Sequence, residues 1–210
     1  CTMKLVRAFP LVALFGVISG HTAAPSFDCT KTDSAAAEQV CEDKELAALD
    51  QELTRLFALA KNGPHITASR RKELIATQRG WIKGRDECWK GQDLRRCVME
   101  SYVMRIHELR QGYADARSQD SKGISQGPLV VRCDRLDALI GLTFIGNAPK
   151  HAYLEWLDQS IITTLEPSGS GSRYTAHYDD GAFVFWIKGD VATFERPQQG
   201  TLNCRIAEPG

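Results

Sequence analysis

The spacing of the apolar residues changes near residue 120, and this change divides the chain into two regions of different structure. Before it, leucines recur three and four positions apart, as in Leu46, Leu49 and Leu53, which is the spacing of one helix face. After it, short segments rich in β-branched and aromatic residues alternate with turn residues. The sequence therefore predicts an α+β protein, with a helical bundle over 25–117 and a β domain over 128–210.

The segment between these regions, residues 118–127, is rich in serine, glycine, glutamine and charged residues. Such a composition is typical of a linker, so we expect the domain boundary there. Within 128–210, eight short segments have strand character. Their number and spacing predict a small antiparallel barrel or a sandwich.

The cysteines support the same division. Removal of an export signal would leave six of the seven, four before residue 100 and two after residue 130. An even number is typical of disulfides in an oxidising compartment, and the chain has no C-x-x-C pair to suggest a metal site. The four N-terminal cysteines allow three pairings, of which short loops favour Cys29–Cys41 with Cys88–Cys97. Cys133–Cys204 would then join the two ends of the β domain.

Residues 1–24 have the features of a signal peptide. Lys4 and Arg7 precede an apolar run that is too short to span a bilayer, and Ala24 offers a cleavage site. His21 occupies the position where a lipid-modified cysteine would stand. We therefore expect a periplasmic or secreted protein with no stable membrane anchor after cleavage.

Charge and motif content exclude several classes of function. The chain has 26 basic and 26 acidic residues, so nucleic acid is not an expected partner. Residues 125–210 hold 7 basic and 10 acidic residues, which suits a basic partner. The sequence contains no H-E-x-x-H. We therefore expect a protein that is not an enzyme and that has no cofactor and no metal site.

Two motifs in the β domain carry a resemblance to a known family. They are Ser-Gly-x-Arg-Tyr over 170–174 and Phe-Trp-x-Lys-Gly over 185–189. Cys133 and Cys204, near the first and last strands, frame them. With these features, residues 128–210 resemble the membrane-bound lysozyme inhibitors of c-type lysozyme, the MliC-like family. The resemblance implies an eight-stranded antiparallel β-barrel and a c-type lysozyme as the partner.

The same resemblance implies which residues bind lysozyme. In the family, the serine of the first motif and the lysine of the second enter the lysozyme active site, and the matching residues here are Ser170 and Lys188. We expect Trp186 to support the loop that carries the serine. The implied function is a proteinaceous inhibitor that protects peptidoglycan by filling the active-site cleft. The implied lysozyme-binding residues are Ser170, Gly171, Arg173, Tyr174 and Lys188.

The helical region resembles a second lysozyme-inhibitor family, the LprI-like family, over about 27–110. The matching features are four cysteines spaced around helices, Val-Cys-Glu-Asp at 40–43, and Gln-x-x-Trp ending at Trp81. Arg85 and Asp86 follow this tryptophan. These three residues either contact a partner or pack the helices together with an ion pair inside the domain, and we favour packing. The alternative function for the whole chain is a non-catalytic module that binds peptidoglycan or an envelope protein.

Overall fold

The computed structural model describes residues 24–117, 122–147 and 150–207. Apart from Ala24, the predicted signal peptide lies outside these ranges, and so do residues 118–121 of the predicted linker. Within the described residues, helices come first and strands follow. The helices are α1 (Ala35–Glu42), α2 (Lys44–Asn62), α3 (Ala68–Asp86) and α4 (Leu94–Gly112), with short 3-10 segments at Cys29–Lys31, Glu87–Lys90 and Ala114–Ala116. The strands are β1 (Ser125–Cys133), β2 (Leu139–Ile145), β3 (His151–Trp156), β4 (Gln159–Glu166), β5 (Ser172–Tyr178), β6 (Gly181–Lys188), β7 (Val191–Arg196) and β8 (Gly200–Ala207).

Polar side chains define where the helices begin. Those of Ser34, Asp43, Thr67 and Asp93 accept hydrogen bonds from N–H groups in the first turns of α1, α2, α3 and α4, in that order. These bonds satisfy donors that a helix leaves unpaired at its start. The predicted leucine face of α2 is buried and packs mainly on α4. None of the described helices is long and apolar enough to cross a membrane.

Disulfides hold both regions. Cys29–Cys41 ties the N-terminal segment to α1, and Cys88–Cys97 ties the segment after α3 to α4. Cys133–Cys204 joins β1 to β8. The first two are the pairs that short loops favoured from the sequence, and the third joins the two cysteines that remained.

The strands close into a barrel. Each strand pairs antiparallel with its neighbours in sequence, and β8 pairs with β1. Leu154, Trp156, Phe185 and Phe194 fill the interior. Closure leaves no free sheet edge and distinguishes the barrel from a sandwich. The predicted α+β fold, with a disulfide-pinned helical bundle and an eight-stranded barrel, is confirmed.

The helical domain packs on the outside of the first three strands. Ile145 of β2 and Tyr153 of β3 belong to the core of the helical domain. His107 of α4 has one ring nitrogen 2.7 Å from Thr143 Oγ1 and the other 2.9 Å from Glu155 Oε2. As a result β3 is covered on both faces, by the barrel interior on one side and by the helices on the other.

β1 begins at Ser125, inside the segment that polar composition assigned to the linker. Arg110 of α4 donates hydrogen bonds to the hydroxyl of Ser125 at 2.7 Å and to its carbonyl oxygen. The Ser125 hydroxyl in turn donates to Glu52 of α2. Composition alone could not indicate this, because the partners that recruit Ser125 lie on two distant helices.

Candidate functional site

The two motifs that suggested a binding site lie side by side on paired strands. β5 and β6 are antiparallel, with Ser172 opposite Ile187 and Arg173 opposite Trp186. This register brings the end of the loop before β5, at Gly171, next to the end of β6, at Lys188. Ser170, Gly171 and Lys188 are all exposed there.

Gly171 can be replaced by no other residue without strain. Its φ is +68°, in the left-handed region that side chains disfavour. A Cβ built on it would lie 2.3 Å from the carbonyl oxygen of Ile187 and 3.1 Å from Cε2 of Trp186. The loop therefore lies directly against β6. Gly169, by contrast, would meet nothing within 4 Å.

The loop is held by hydrogen bonds to the backbone of Ser170. The indole N–H of Trp186 donates to the Ser170 carbonyl oxygen at 2.9 Å, and the hydroxyl of Ser168 donates to the same oxygen at 2.8 Å. Both bonds use the backbone, so they leave the exposed side chain of Ser170 available to a partner. The support predicted for Trp186 agrees with this contact.

Lys188 ends β6 at a tight turn. Its partner in the register is Val191, and Gly189 between them has φ of +66°. Asp190, the nearest acid in sequence, pairs with Arg205 at 3.0 Å. Among the described residues, the side chain of Lys188 makes neither an ion pair nor a hydrogen bond. Its ammonium group is therefore an exposed cation beside the Ser170 loop.

Arg173 is half-buried and already paired within the barrel. Its guanidinium forms an ion pair with Glu166 of β4, and Nε2 of His177 lies 3.1 Å from the other oxygen of that carboxylate. Hydrogen bonds from Thr175 and His177 lower the pKa of Glu166. Sequence reasoning missed Glu166 and His177, because only the pairing of β4 with β5 brings Glu166 to Arg173 and His177.

Tyr174 requires a correction. It is 2% exposed, and its ring packs in the barrel interior, 5.7 Å from the ring of Phe144. Burial raises the pKa of its hydroxyl. Alternation along β5 turns Arg173 outward and Tyr174 inward, so the tyrosine supports the site from within and cannot contact a partner directly.

Comparison with known proteins assigns a family to each half of the chain. Residues 29–109 match the family described as lysozyme inhibitor LprI, and residues 131–203 match the membrane-bound lysozyme inhibitors of c-type lysozyme, MliC. Two relatives named lipoprotein LprI, from Mycobacterium bovis and Mycobacterium tuberculosis, are 32% identical over 73% of this chain and 72% of theirs. The chain belongs to the LprI family of lysozyme inhibitors. No solved structure matches it significantly.

In the LprI domain, Trp81, Arg85 and Asp86 pack the helices of the bundle. The indole N–H of Trp81 donates to the Ser101 carbonyl oxygen at 3.2 Å. Arg85 is buried, pairs with Asp86, and donates to the hydroxyl of Tyr102 at 2.8 Å. Burial raises the pKa of that tyrosine. These contacts agree with the packing interpretation, which the sequence favoured.

The MliC domain keeps its two motifs clear of the LprI domain. The helices contact β1, β2 and β3, whereas Ser170 precedes β5 and Lys188 ends β6, opposite those strands in the order of the closed barrel. Within the described residues, no cluster of histidine, cysteine or carboxylate side chains could hold a metal ion. The arrangement offers an exposed hydroxyl and an exposed cation at one end of the barrel.

Proposed function

We propose that this lysozyme inhibitor acts on c-type lysozyme by placing the Ser168–Gly171 loop and Lys188 in the active-site cleft. It acts as a stoichiometric ligand and catalyses no reaction of its own. The observation that carries the proposal is the hydrogen bond from Trp186 to Ser170, which fixes the loop beside the strand that ends in Lys188. The family resemblance points to c-type lysozyme as the partner, and the geometry points to the Ser170 hydroxyl and the Lys188 ammonium as the groups that contact it.

The two groups match the chemistry of the cleft. A c-type lysozyme holds one carboxyl group protonated as a general acid and keeps a second one ionised. The Ser170 hydroxyl is suited to hydrogen-bond with the acid, and the ammonium of Lys188 is suited to pair with the carboxylate. Such a charged pair gains strength when binding excludes water from the cleft.

Rigidity of the loop favours tight binding. A flexible loop loses conformational freedom when it enters a cleft, and this loss weakens the complex. Here Gly171 lies against the backbone of β6, and two hydrogen bonds hold Ser170 before any partner arrives. The thin backbone at two glycines also suits a cleft shaped for a sugar chain.

Charge supports the encounter with lysozyme. Residues 125–210 carry 7 basic and 10 acidic residues, so the domain attracts a basic lysozyme at low ionic strength. An extracytoplasmic location, suggested by the family and its lipoprotein relatives, brings the two proteins together. We propose the periplasm or the secreted fraction, which also suits three disulfides.

The test is a titration of c-type lysozyme with the oxidised full chain, read as lysis of a lysozyme-sensitive cell suspension. The full chain is required, because the barrel alone would expose Ile145 and Tyr153. We expect lysis to stop near a one-to-one ratio, and a double variant S170A/K188Q to need a large excess. Equal inhibition by this variant and the wild type would overturn loop insertion. Failure of the wild type to inhibit would overturn c-type lysozyme as the target.

A further inference from the structure

One side of α3 combines exposed cations with two isoleucines, of which Ile82 is exposed and Ile75 is half-buried. We call it the α3 basic face; its members are Arg71, Lys72, Ile75, Arg79, Ile82 and Lys83. Successive members are at most four positions apart, so they lie along one side of the helix. Several of them, with Ala68 and Ala76, line one shallow groove.

This face is separate from the side that attaches α3 to the bundle. Leu74 and Arg85 are buried, and Trp81 packs on Tyr102 with ring centroids 5.1 Å apart. Ile82, on the basic face, is 40% exposed. Packing within the bundle therefore gives no reason for the isoleucine to face solvent.

The cations of the face are largely uncompensated. Among the described residues, Lys72, Arg79 and Lys83 make no ion pair, whereas Arg70 on the neighbouring side pairs with Glu73 at 2.9 Å. Arg71 donates only to the backbone carbonyl oxygen of Lys61, at 2.8 Å. The face thus concentrates positive charge, although the chain as a whole has none in excess.

We propose that the α3 basic face docks on the surface of an anionic phospholipid bilayer. Cations recognise the headgroup phosphates, and each contributes to binding near such a surface. The isoleucines fit the boundary between headgroups and acyl chains, as in helices that lie in the interface. Trp89, three residues beyond the end of α3, is 61% exposed, and tryptophan is a side chain that favours the membrane interface. A soluble polyanion would bind the cations but would give the apolar side chains no role.

The test is co-sedimentation of the oxidised full chain with vesicles. We expect binding to phosphatidylcholine vesicles that contain about a quarter phosphatidylglycerol, little binding to pure phosphatidylcholine, and loss of binding as salt rises well above about 0.1 M. The variant K72Q/R79Q should bind at least about tenfold more weakly. The matched control K44Q/R132Q removes the same charge elsewhere and should bind like the wild type.

A second variant, I82S/W89S, tests whether the ligand of the α3 basic face is a bilayer or a soluble polyanion. It should bind the anionic vesicles several-fold more weakly and bind soluble polyphosphate as the wild type does. Equal loss in the two charge variants, no binding to anionic vesicles, or full vesicle binding by I82S/W89S would each overturn the proposal. Inhibition of lysozyme by K72Q/R79Q should be unchanged, which keeps this test independent of the Ser170 loop.

Discussion

The indole nitrogen of Trp186 lies 2.9 Å from the carbonyl oxygen of Ser170 and connects the proposed inhibitory loop to the strand that ends in Lys188. This bond, with the Ser168 hydroxyl on the same oxygen, holds the loop that carries one of the two groups expected to enter the cleft beside the strand that carries the other. Because the bond uses the backbone of Ser170, it positions the residue without occupying its hydroxyl.

Trp186→Phe removes this hydrogen bond and keeps an aromatic ring. A net hydrogen bond is worth about 0.5–1.5 kcal/mol, so we expect inhibition of lysozyme to weaken by several-fold. The inhibition constant measures the effect, and the thermal midpoint shows whether the fold is kept. Trp89→Phe changes an exposed tryptophan away from the loop and should leave the constant unchanged. An unaltered constant for Trp186→Phe would show that the loop needs no such support.

Lys188→Gln removes the exposed cation and keeps most of the side chain. If its carboxylate partner is left buried and unpaired, binding weakens by about 2–5 kcal/mol. Calorimetric titration with c-type lysozyme measures this loss. Lys44→Gln is the control, because it removes one exposed lysine from the helical domain. Similar affinities for the two variants would contradict a role for Lys188 in the cleft.

Gly171→Ala tests the contact between the loop and β6. The added Cβ meets a backbone oxygen at 2.3 Å in a left-handed conformation, so either the loop moves or the fold loses about 1–3 kcal/mol. A moved loop weakens inhibition, whereas strain with the loop in place lowers the free energy of unfolding and leaves the inhibition constant largely unchanged. Gly169→Ala, which meets nothing within 4 Å, is the matched control and should inhibit normally. Inhibition constants and urea unfolding of both variants distinguish a moved loop from a weaker fold.

The junction between the domains is expected to weaken in mild acid. Desolvation lowers the pKa of His107, although Glu155 and Glu108 oppose the shift, and desolvation likewise lowers the pKa of His151 against Glu45. Below about pH 6.5 these histidines bind protons in the unfolded chain more readily than in the folded chain. The free energy of unfolding is therefore highest above that pH and falls as the pH decreases through it.

The measurement is the free energy of unfolding in urea from about pH 7.5 to pH 5, with the slope ascribed to the histidines. The pKa of Glu45 is lowered to about 2 by hydrogen bonds from Lys150, His151 and Arg95, against the effect of burial, so this carboxylate stays ionised in that range. His107→Gln should reduce the slope relative to the wild type. Identical slopes would contradict the role of His107.

Arg110→Met tests the buried contacts that recruit Ser125. Arg110 is 1% exposed, and its guanidinium lies 3.5 Å from the carboxylate of Glu52. Burial raises the pKa of Glu52, but hydrogen bonds from Arg55 and Ser125 outweigh it and lower that pKa. Removing one member of a buried pair costs about 3–5 kcal/mol. Arg96→Met breaks an exposed pair with Glu100 and should cost less than about 1 kcal/mol. Equal costs in urea unfolding would show that the junction is not stabilised through Arg110.

The α+β architecture could be predicted from the sequence, because local patterns of apolar residues determine where helices and strands form. Leucine spacing gave the face of α2, period-two alternation gave the strands, and loop length led to the cysteine pairing found. The same alternation, applied to β5, would have turned Tyr174 inward. The motif match obscured that signal, since a family motif records residues that support a site together with those that touch the partner.

The remaining features depend on contacts between distant parts of the chain. Glu166 reaches Arg173 only through the register of β4 and β5. Ser125 joins the barrel because Arg110 and Glu52, on two different helices, converge on it. No local composition encodes such contacts, so the segment at 118–127 resembled a linker even where it forms a strand.

The cover on both faces of β3 affects how this chain can vary. Ala152 and Leu154 belong to the barrel interior, while Tyr153 between them belongs to the helical core. If the barrel were moved to another protein, His151 and Tyr153 of β3 would be exposed to solvent. The helical domain left behind would lose the part of its core that Tyr153 and Ile145 supply. Although the two segments of this chain match separate families, neither can be exchanged without repacking the junction between them.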